Sequence, residues 1–205
     1  DIYVGYRYFD SFGIMPAYEF GYGKSYTYFD VNVRAVSIDG TKVTVDADVT
    51  NTGYIYSGKE VVQIYMSSPQ GKLNKEYQSL VGFAKTKLLA PNETQSLSIS
   101  FDINNFASYN EKTAQFILEK GDYIIRVGNS SRNTKAVAVI KSYSDVIVSE
   151  HTNICMTKNN FDVLSCNTLH VENTDGIDNI LHLNAHSIFS EIYTYNKPAS
   201  ITDRR

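Results

Sequence analysis

Lys42-Val-Thr-Val-Asp-Ala-Asp-Val49 alternates apolar and polar residues without a break. On a strand, Val43, Val45, Ala47 and Val49 point to one face, and Thr44, Asp46 and Asp48 point to the other; a helix would scatter the four apolar residues around its circumference. The segment reads as a strand with one buried and one wet face. Working outward, the same period-two pattern dominates from Phe29 to about Ser142.

Punctuation between the alternating runs fits hairpins and short loops. Asn51-Thr-Gly53 interrupts the pattern with residues that tolerate the backbone of tight turns, and a strand is expected from about Glu60 to Ser67. Pro69-Gln-Gly71 opens a polar loop, Ser79–Leu89 reads as the next strand, and Ala90-Pro-Asn-Glu93 is a turn in which proline fixes φ and removes a donor. Leu97, Ile99 and Phe101 then alternate with serines. Residues 104–112 read as an irregular crossover, Phe116–Leu118 as a short strand, and Lys120-Gly-Asp122 as a turn into Tyr123, Ile125 and Val127. Val137 and Val139 mark a last strand.

The expected fold class is therefore all-β: an immunoglobulin-like, fibronectin type III-like sandwich of about seven strands with irregular flanks. The chain has no Trp and no Cys in this stretch, so it lacks the Cys–Trp–Cys core of true immunoglobulin domains. The flanks differ in character. Residues 1–28 gather ten aromatics around five glycines and prolines, a density that belongs against another surface. From Tyr143 onward the alternation fades into Asn-rich sequence with one amphipathic patch at Leu181, Leu183, Ile188, Phe189 and Ile192. The expected organisation is 1–28, 29–142 and 143–205.

Composition narrows the function classes. With 42% apolar and 20% charged residues and a formal charge of −3, the chain is of globular type. Its scattered Lys and Arg form no basic stripe for nucleic acid. No apolar run approaches the roughly 20 residues that span a bilayer, so no membrane partner is expected. Without a leader pattern the expected compartment is cytoplasmic, with secretion left open. Asp1 and the closing Arg204-Arg205 read as cuts within a longer chain. Cys155 and Cys166 could pair under oxidising conditions or remain thiols.

Two N-terminal blocks, Tyr3-Val-Gly-Tyr-Arg-Tyr-Phe-Asp10 and Phe20-Gly-Tyr-Gly-Lys-Ser-Tyr-Thr27, resemble the end of the α/β sandwich domain of family 3 glycoside hydrolases. In that family the second block usually reads FGYGLSYT, so Lys24 stands where Leu is usual. The likeness continues through Asn51-Thr-Gly53, Gly58-Lys-Glu-Val-Val-Gln-Ile-Tyr65, Leu80-Val-Gly-Phe-Ala-Lys85, Leu89-Ala-Pro91 and Gly121-Asp-Tyr-Ile-Ile-Arg-Val-Gly-Asn-Ser-Ser131. These blocks are similar to the fibronectin-III-like domain that follows in the same β-glucosidases. Asp145–Cys155 resembles the connector of circularly permuted members, in which a catalytic barrel comes last. The resemblance implies that residues 1–28 are the tail of the α/β domain, 29–142 the fibronectin-III-like domain, and 143–205 a connector. The implied partners are the α/β and barrel domains, and glycoside is met only through them.

Retaining glycoside hydrolysis needs two carboxyl groups roughly 5–5.5 Å apart. The resemblance implies that neither is here: the family's nucleophile is an Asp beside a Trp in the barrel, and its acid/base Glu lies upstream. No catalytic, cofactor or metal residue is therefore assigned. Asp46, Asp48, Asp175 and Asp178 read as solvated charges. Gly21-Tyr-Gly23 only begins a dinucleotide fingerprint, because Tyr26 stands where its third glycine belongs. His182 and His186 would share a helix face, but no third ligand accompanies them. Tyr6, Arg7, Tyr8 and Tyr22 could stack on sugar or be buried at a domain interface. Asn92-Glu-Thr94 and Asn129-Ser-Ser131 fit the glycosylation sequon and are given no role. The expected function is that of a non-catalytic accessory domain supporting the packing of catalytic domains. The alternative is a carbohydrate-binding module with exposed aromatics in a row or groove.

Overall fold

The computed structural model describes residues 2–154, 163–166, 174 and 176–195. Seven long strands carry the sandwich: β1 (Phe29–Asp39), β2 (Lys42–Asn51), β3 (Val61–Ser67), β4 (Ser79–Lys85) and β5 (Thr94–Asp102), then β8 (Gly121–Gly128) and β9 (Thr134–Ser142). Between the fifth and eighth lie the short β6 (Ser108–Asn110) and β7 (Gln115–Leu118). The later strands are β10 (Val146–His151), β11 (Ile180–His182) and β12 (Glu191–Tyr193).

One sheet has the order β1-β2-β5, and the facing sheet runs β11-β9-β8-β3-β4. The alternation of β2 reads out as expected: Val43, Val45, Ala47 and Val49 are fully buried, each side chain worth roughly 1.5–3 kcal/mol of apolar burial for the valines. Val62, Ile64 and Met66 of β3 and Ile125 and Val127 of β8 complete the core. Thr44 and Asp48 on the outer face bond across to Ser100 and Ser96 at 2.9 and 2.6 Å, and Arg34, at the irregularity of β1, pairs with Asp48 at 3.1 Å.

The structure corrects the sequence reading in three places. β4 ends at Lys85 rather than Leu89, because Thr86–Leu89 turns away: the Glu60 amide donates to the Thr86 hydroxyl, and Leu89 bridges Gly58 instead. The crossover at 104–112 holds a 3-10 turn (Ile103–Phe106) and β6. The core also extends beyond residue 142. β10 pairs with β7 and β12 in a third sheet, β11 adds parallel to β9, and Val146, Leu183 and Ile188 join the central hydrophobic cluster. Of the C-terminal amphipathic patch, Leu181 packs against that cluster too, whereas Phe189 and Ile192 stay exposed.

Candidate docking surface

β3 is buried on both faces. Val62, Ile64 and Met66 face the sandwich, while Gln63, Tyr65 and Ser67 face the opposite way and are buried as well. Their cover is the N-terminal segment. A short helix, α1 (Tyr6–Ser11), lies against Tyr65, with Tyr6 edge-on to it at 5.8 Å and stacked on Phe20 at 4.9 Å. The Leu80 amide donates to the Tyr6 hydroxyl at 2.7 Å. Burial pushes the hydroxyls of Tyr6 and Tyr65 above their ordinary range, so both remain neutral hydrogen-bonding groups.

The segment is latched at both ends. Arg132, on the β8–β9 hairpin, pairs with the buried Asp10 at 2.9 Å and donates to the carbonyls of Phe9 and Ile14. Gln78 donates to Asp10 at 3.1 Å and to the Ser131 carbonyl at 2.6 Å, and the Ser131 amide donates to the carbonyl of Phe20. Close approach explains two of the glycines. Gly21 has φ +85°, and a Cβ there would meet Gln63 Nε2 at 2.3 Å; a Cβ on Gly128 would meet the Asn133 carbonyl oxygen at 1.8 Å. Gly21-Tyr-Gly23 is thus a turn over β3, with no helix following it.

Beneath the same segment the loop 72–78 is held by a buried ion pair between Lys75 and Glu119. Glu119 also accepts from the Lys72 and Leu73 amides at 2.7 and 3.2 Å. Burial alone would raise its pKa, but the Lys75 ammonium and these amides outweigh it and hold the carboxyl below its usual value.

Asn51 fastens the next stretch. Its buried side chain accepts from the Thr27 hydroxyl at 2.5 Å and the Gly53 amide at 3.0 Å, and donates to the carbonyls of Tyr56 and Leu89 at 2.9 and 3.0 Å. The Thr52 amide donates to the Tyr28 carbonyl. Residues 26–28 and the 52–57 loop are therefore one fixed unit, and Gly53 is required because a Cβ would lie 2.0 Å from Thr27 Oγ1.

What this framework holds outward is aromatic. Tyr26, Tyr28 and Tyr54 are 91%, 80% and 88% exposed, Tyr18 and Ile55 are largely exposed, and Phe20, Tyr22 and Tyr56 are about half exposed. Tyr26 sits 6.1 Å from Tyr56 at 59°, and Tyr18 lies 5.0 Å from Tyr22 at 32°. These rings are tilted against one another and do not form a flat platform. Lys24 is exposed among them.

The other sequence candidates are placed as follows. Tyr6 and Tyr8 are engaged internally, Tyr8 against Phe9 and Phe12, and Arg7 faces Glu76 at 3.8 Å. His182 lies on β11, ring-stacked on Tyr143 with its Nδ1 at 3.0 Å from the hydroxyl, and His186 lies in a 3-10 turn, so the helix that their spacing supposed is not there. Among the described residues no cluster of three metal-ligating side chains occurs. Asp46 and Asp48 lie on the outer face of the central strand β2, and Asp178 is exposed. Cys166 Sγ donates to the Ser11 carbonyl at 3.0 Å; Cys155 and Asp175 lie outside the described residues. Asn92 occupies an exposed turn at φ 63°, whereas Asn129 and the buried Ser131 belong to the hairpin that latches α1. Sequence reading missed Asn51 as a hub, the Arg132–Asp10 latch, and the Tyr54-Ile-Tyr56 contribution to the surface. The one available signal was three large apolar residues in a row between two turn glycines.

Comparison with known proteins now has a structure to rest on. Residues 60–131 match the model of the fibronectin type III-like domain. The chain is 35% identical over 147 residues to a β-glucosidase of Kluyveromyces marxianus, covering 71% of this chain and 17% of that protein. It is 39% identical over 175 residues to β-glucosidase A of Butyrivibrio fibrisolvens, covering 73% and 21%. The crystal structure of a β-glucosidase from Paenibacillus barengoltzii superimposes with a TM-score of 0.72 at 41% identity, covering 74% of this chain and 18% of that one. The chain thus spans about a fifth of the length of these relatives. The family-model match together with 35–41% identity over about seven tenths of the chain leads to one conclusion: this chain carries the fibronectin type III-like domain of the family 3 β-glucosidases.

Proposed function

We propose that the chain acts as a non-catalytic accessory unit of a family 3 glycosidase, packing against the α/β domain and holding it beside the barrel so that the two catalytic carboxyl groups meet across the glycosidic bond. The observation that carries this reading is the tilted aromatic surface of residues 18–28 and 54–56, fixed from beneath by Asn51 and the Arg132 latch. Exposed aromatic area of this extent is stable in water only at a cost, and interfaces are where Tyr and Phe concentrate. Sugar binding would favour rings presented as a flat row, and neither Tyr26–Tyr56 nor Tyr18–Tyr22 offers one.

The test is release of p-nitrophenol from β-glucoside and β-xyloside substrates by the 205-residue chain and by the enzyme containing it. The chain is expected to be inactive and the enzyme active. Replacing Tyr26 and Tyr56 together by Ser in the enzyme should lower kcat and thermal stability while leaving the isolated chain folded. Turnover by the chain alone, or a doubly substituted enzyme with unchanged kcat and stability, would overturn the proposal.

A further inference from the structure

The two Asn-X-Ser/Thr sequons of the chain, Asn92-Glu-Thr94 and Asn129-Ser-Ser131, sit in opposite settings. An N-glycan is bulky and hydrated, so a folded protein carries one only where the acceptor and its surroundings stay in water. Asn92 is exposed in the turn between β4 and β5. Its φ of 63° is a left-handed conformation that Asn adopts more readily than most residues. The turn is held without using the Asn92 side chain. The Asn92 amide donates to the Asn51 carbonyl at 2.8 Å and the Glu93 amide to that of Ala90 at 3.0 Å. The Glu93 carboxylate accepts from the Ala90 amide at 2.8 Å and pairs with Lys87 at 2.6 Å. Among the described residues none bonds the Asn92 side-chain amide. Thr94 is exposed at the start of β5, its hydroxyl 2.8 Å from that of Thr50. That pair lies on the outer face of the three-stranded sheet, away from the five-stranded sheet that the N-terminal segment covers.

The second sequon is built into the fold. Asn129 Nδ2 donates to Glu60 at 3.3 Å, and its Oδ1 accepts from Asn133 at 2.8 Å. Ser130 and Ser131 are buried. The Ser130 hydroxyl donates to Glu19 at 3.1 Å, the Ser131 carbonyl accepts from Gln78, and the Ser131 amide donates to the Phe20 carbonyl. A sugar on Asn129 Nδ2 would displace Glu60 and crowd the hairpin that latches the N-terminal segment.

We propose that Asn92 is an N-glycan acceptor of this chain and that Asn129 is not. The donor is a polyprenyl-diphosphate-linked oligosaccharide, presented by an oligosaccharyltransferase in the compartment through which the chain passes. Asn92 Nδ2 forms a bond to the anomeric carbon, and the bond from that carbon to the diphosphate oxygen breaks. The lipid diphosphate leaves with the electron pair, and Nδ2 gives up one proton to a base of the transferase. This site goes beyond the accessory role and does not depend on it.

The test is expression of the full 205-residue chain behind a cleavable leader in a eukaryotic secretory host. Glycans are mapped by mass spectrometry on folded chain recovered from the medium or the secretory lumen. Peptide N-glycosidase in heavy-oxygen water removes the glycan and leaves a labelled Asp at the acceptor position. The expected result is a glycan at Asn92, an unmodified Asn129, and a Tm no lower than that of the enzyme-treated chain. Asn92→Gly, which suits the positive φ, and Thr94→Val, which keeps a β-branched strand residue, should each abolish that glycan with the circular dichroism unchanged. Thr94→Ser should retain it, and Asn129→Gln should leave it untouched. A folded chain bare at Asn92, a glycan on Asn129 of the folded chain, a glycan that survives Thr94→Val, or a glycoform at Asn92 that melts below its deglycosylated form would each overturn the proposal.

Discussion

Replacing Asn51 by Ala should be among the most damaging polar substitutions in the chain. The side chain is wholly buried and makes four hydrogen bonds, two accepted from Thr27 and Gly53 and two donated to Tyr56 and Leu89. Each is worth about 1 kcal/mol net, and its loss leaves a partner shielded from water, so the expected loss is about 4 kcal/mol. Thr27→Val removes only one of the four at nearly constant shape and should cost about 1 kcal/mol. The assay is equilibrium urea unfolding followed by tyrosine fluorescence and circular dichroism, with the m-value checked for constancy. Hydrogen exchange adds a local readout: in Asn51→Ala, amides of residues 26–28 and 52–57 should lose protection before those of β2. A cost below about 1 kcal/mol for Asn51→Ala, or equal costs for the two variants, would refute the reasoning that one side chain fastens the aromatic surface.

Four further outcomes follow from the same framework. Glu119→Ala should cost about 3–5 kcal/mol by leaving the Lys75 ammonium buried alone, and the double replacement Lys75→Met, Glu119→Leu should recover most of it; urea unfolding of the three chains measures this. Because the folded state holds the Glu119 carboxyl below its ordinary value of 4.5, its contribution is fully present above that pH and lost as pH falls through the lower folded value; acid titration of Tm should show a shallower decline in Glu119→Gln than in the parent. Arg132→Ala should leave Asp10 buried without its cation, and exchange should accelerate in residues 6–15 while the amides of β2 and β3 stay protected. Gly128→Ala places a methyl carbon against the Asn133 carbonyl and should lower Tm by several degrees, roughly 2–4 °C for each kcal/mol lost.

The parts of the fold legible in the sequence are those governed by local periodicity. The alternation of β2, the turn at Asn51-Thr-Gly53 and the Ala90-Pro91 turn each depend on neighbours within a few residues, and each is found where expected. The end of β4 differs from the reading because Leu88 and Leu89 continue an apolar run, while Leu89 takes its backbone partner from Gly58 and Thr86 takes its own from Glu60, far away in sequence. The C-terminal strands were unreadable for a related reason. β11 and β12 have three residues each, too few to show a period, and they exist because β9 and β10 offer open edges.

For the candidate surface, sequence alone determined that residues 1–28 carry an aromatic load too dense for a free tail. It could not divide that load. Tertiary structure turned Tyr6 inward over β3 and packed Tyr3 against Phe12 and residues 74–75, and left Tyr18, Tyr22, Tyr26 and Tyr28 facing out beside Tyr54 and Tyr56. A tyrosine's burial is set by whether a facing element fills the space above it, and here that element is a strand more than fifty residues away, with Gln78 and Arg132 holding the segment in place. Composition can register such a demand for burial, but only the packed chain decides which rings it satisfies.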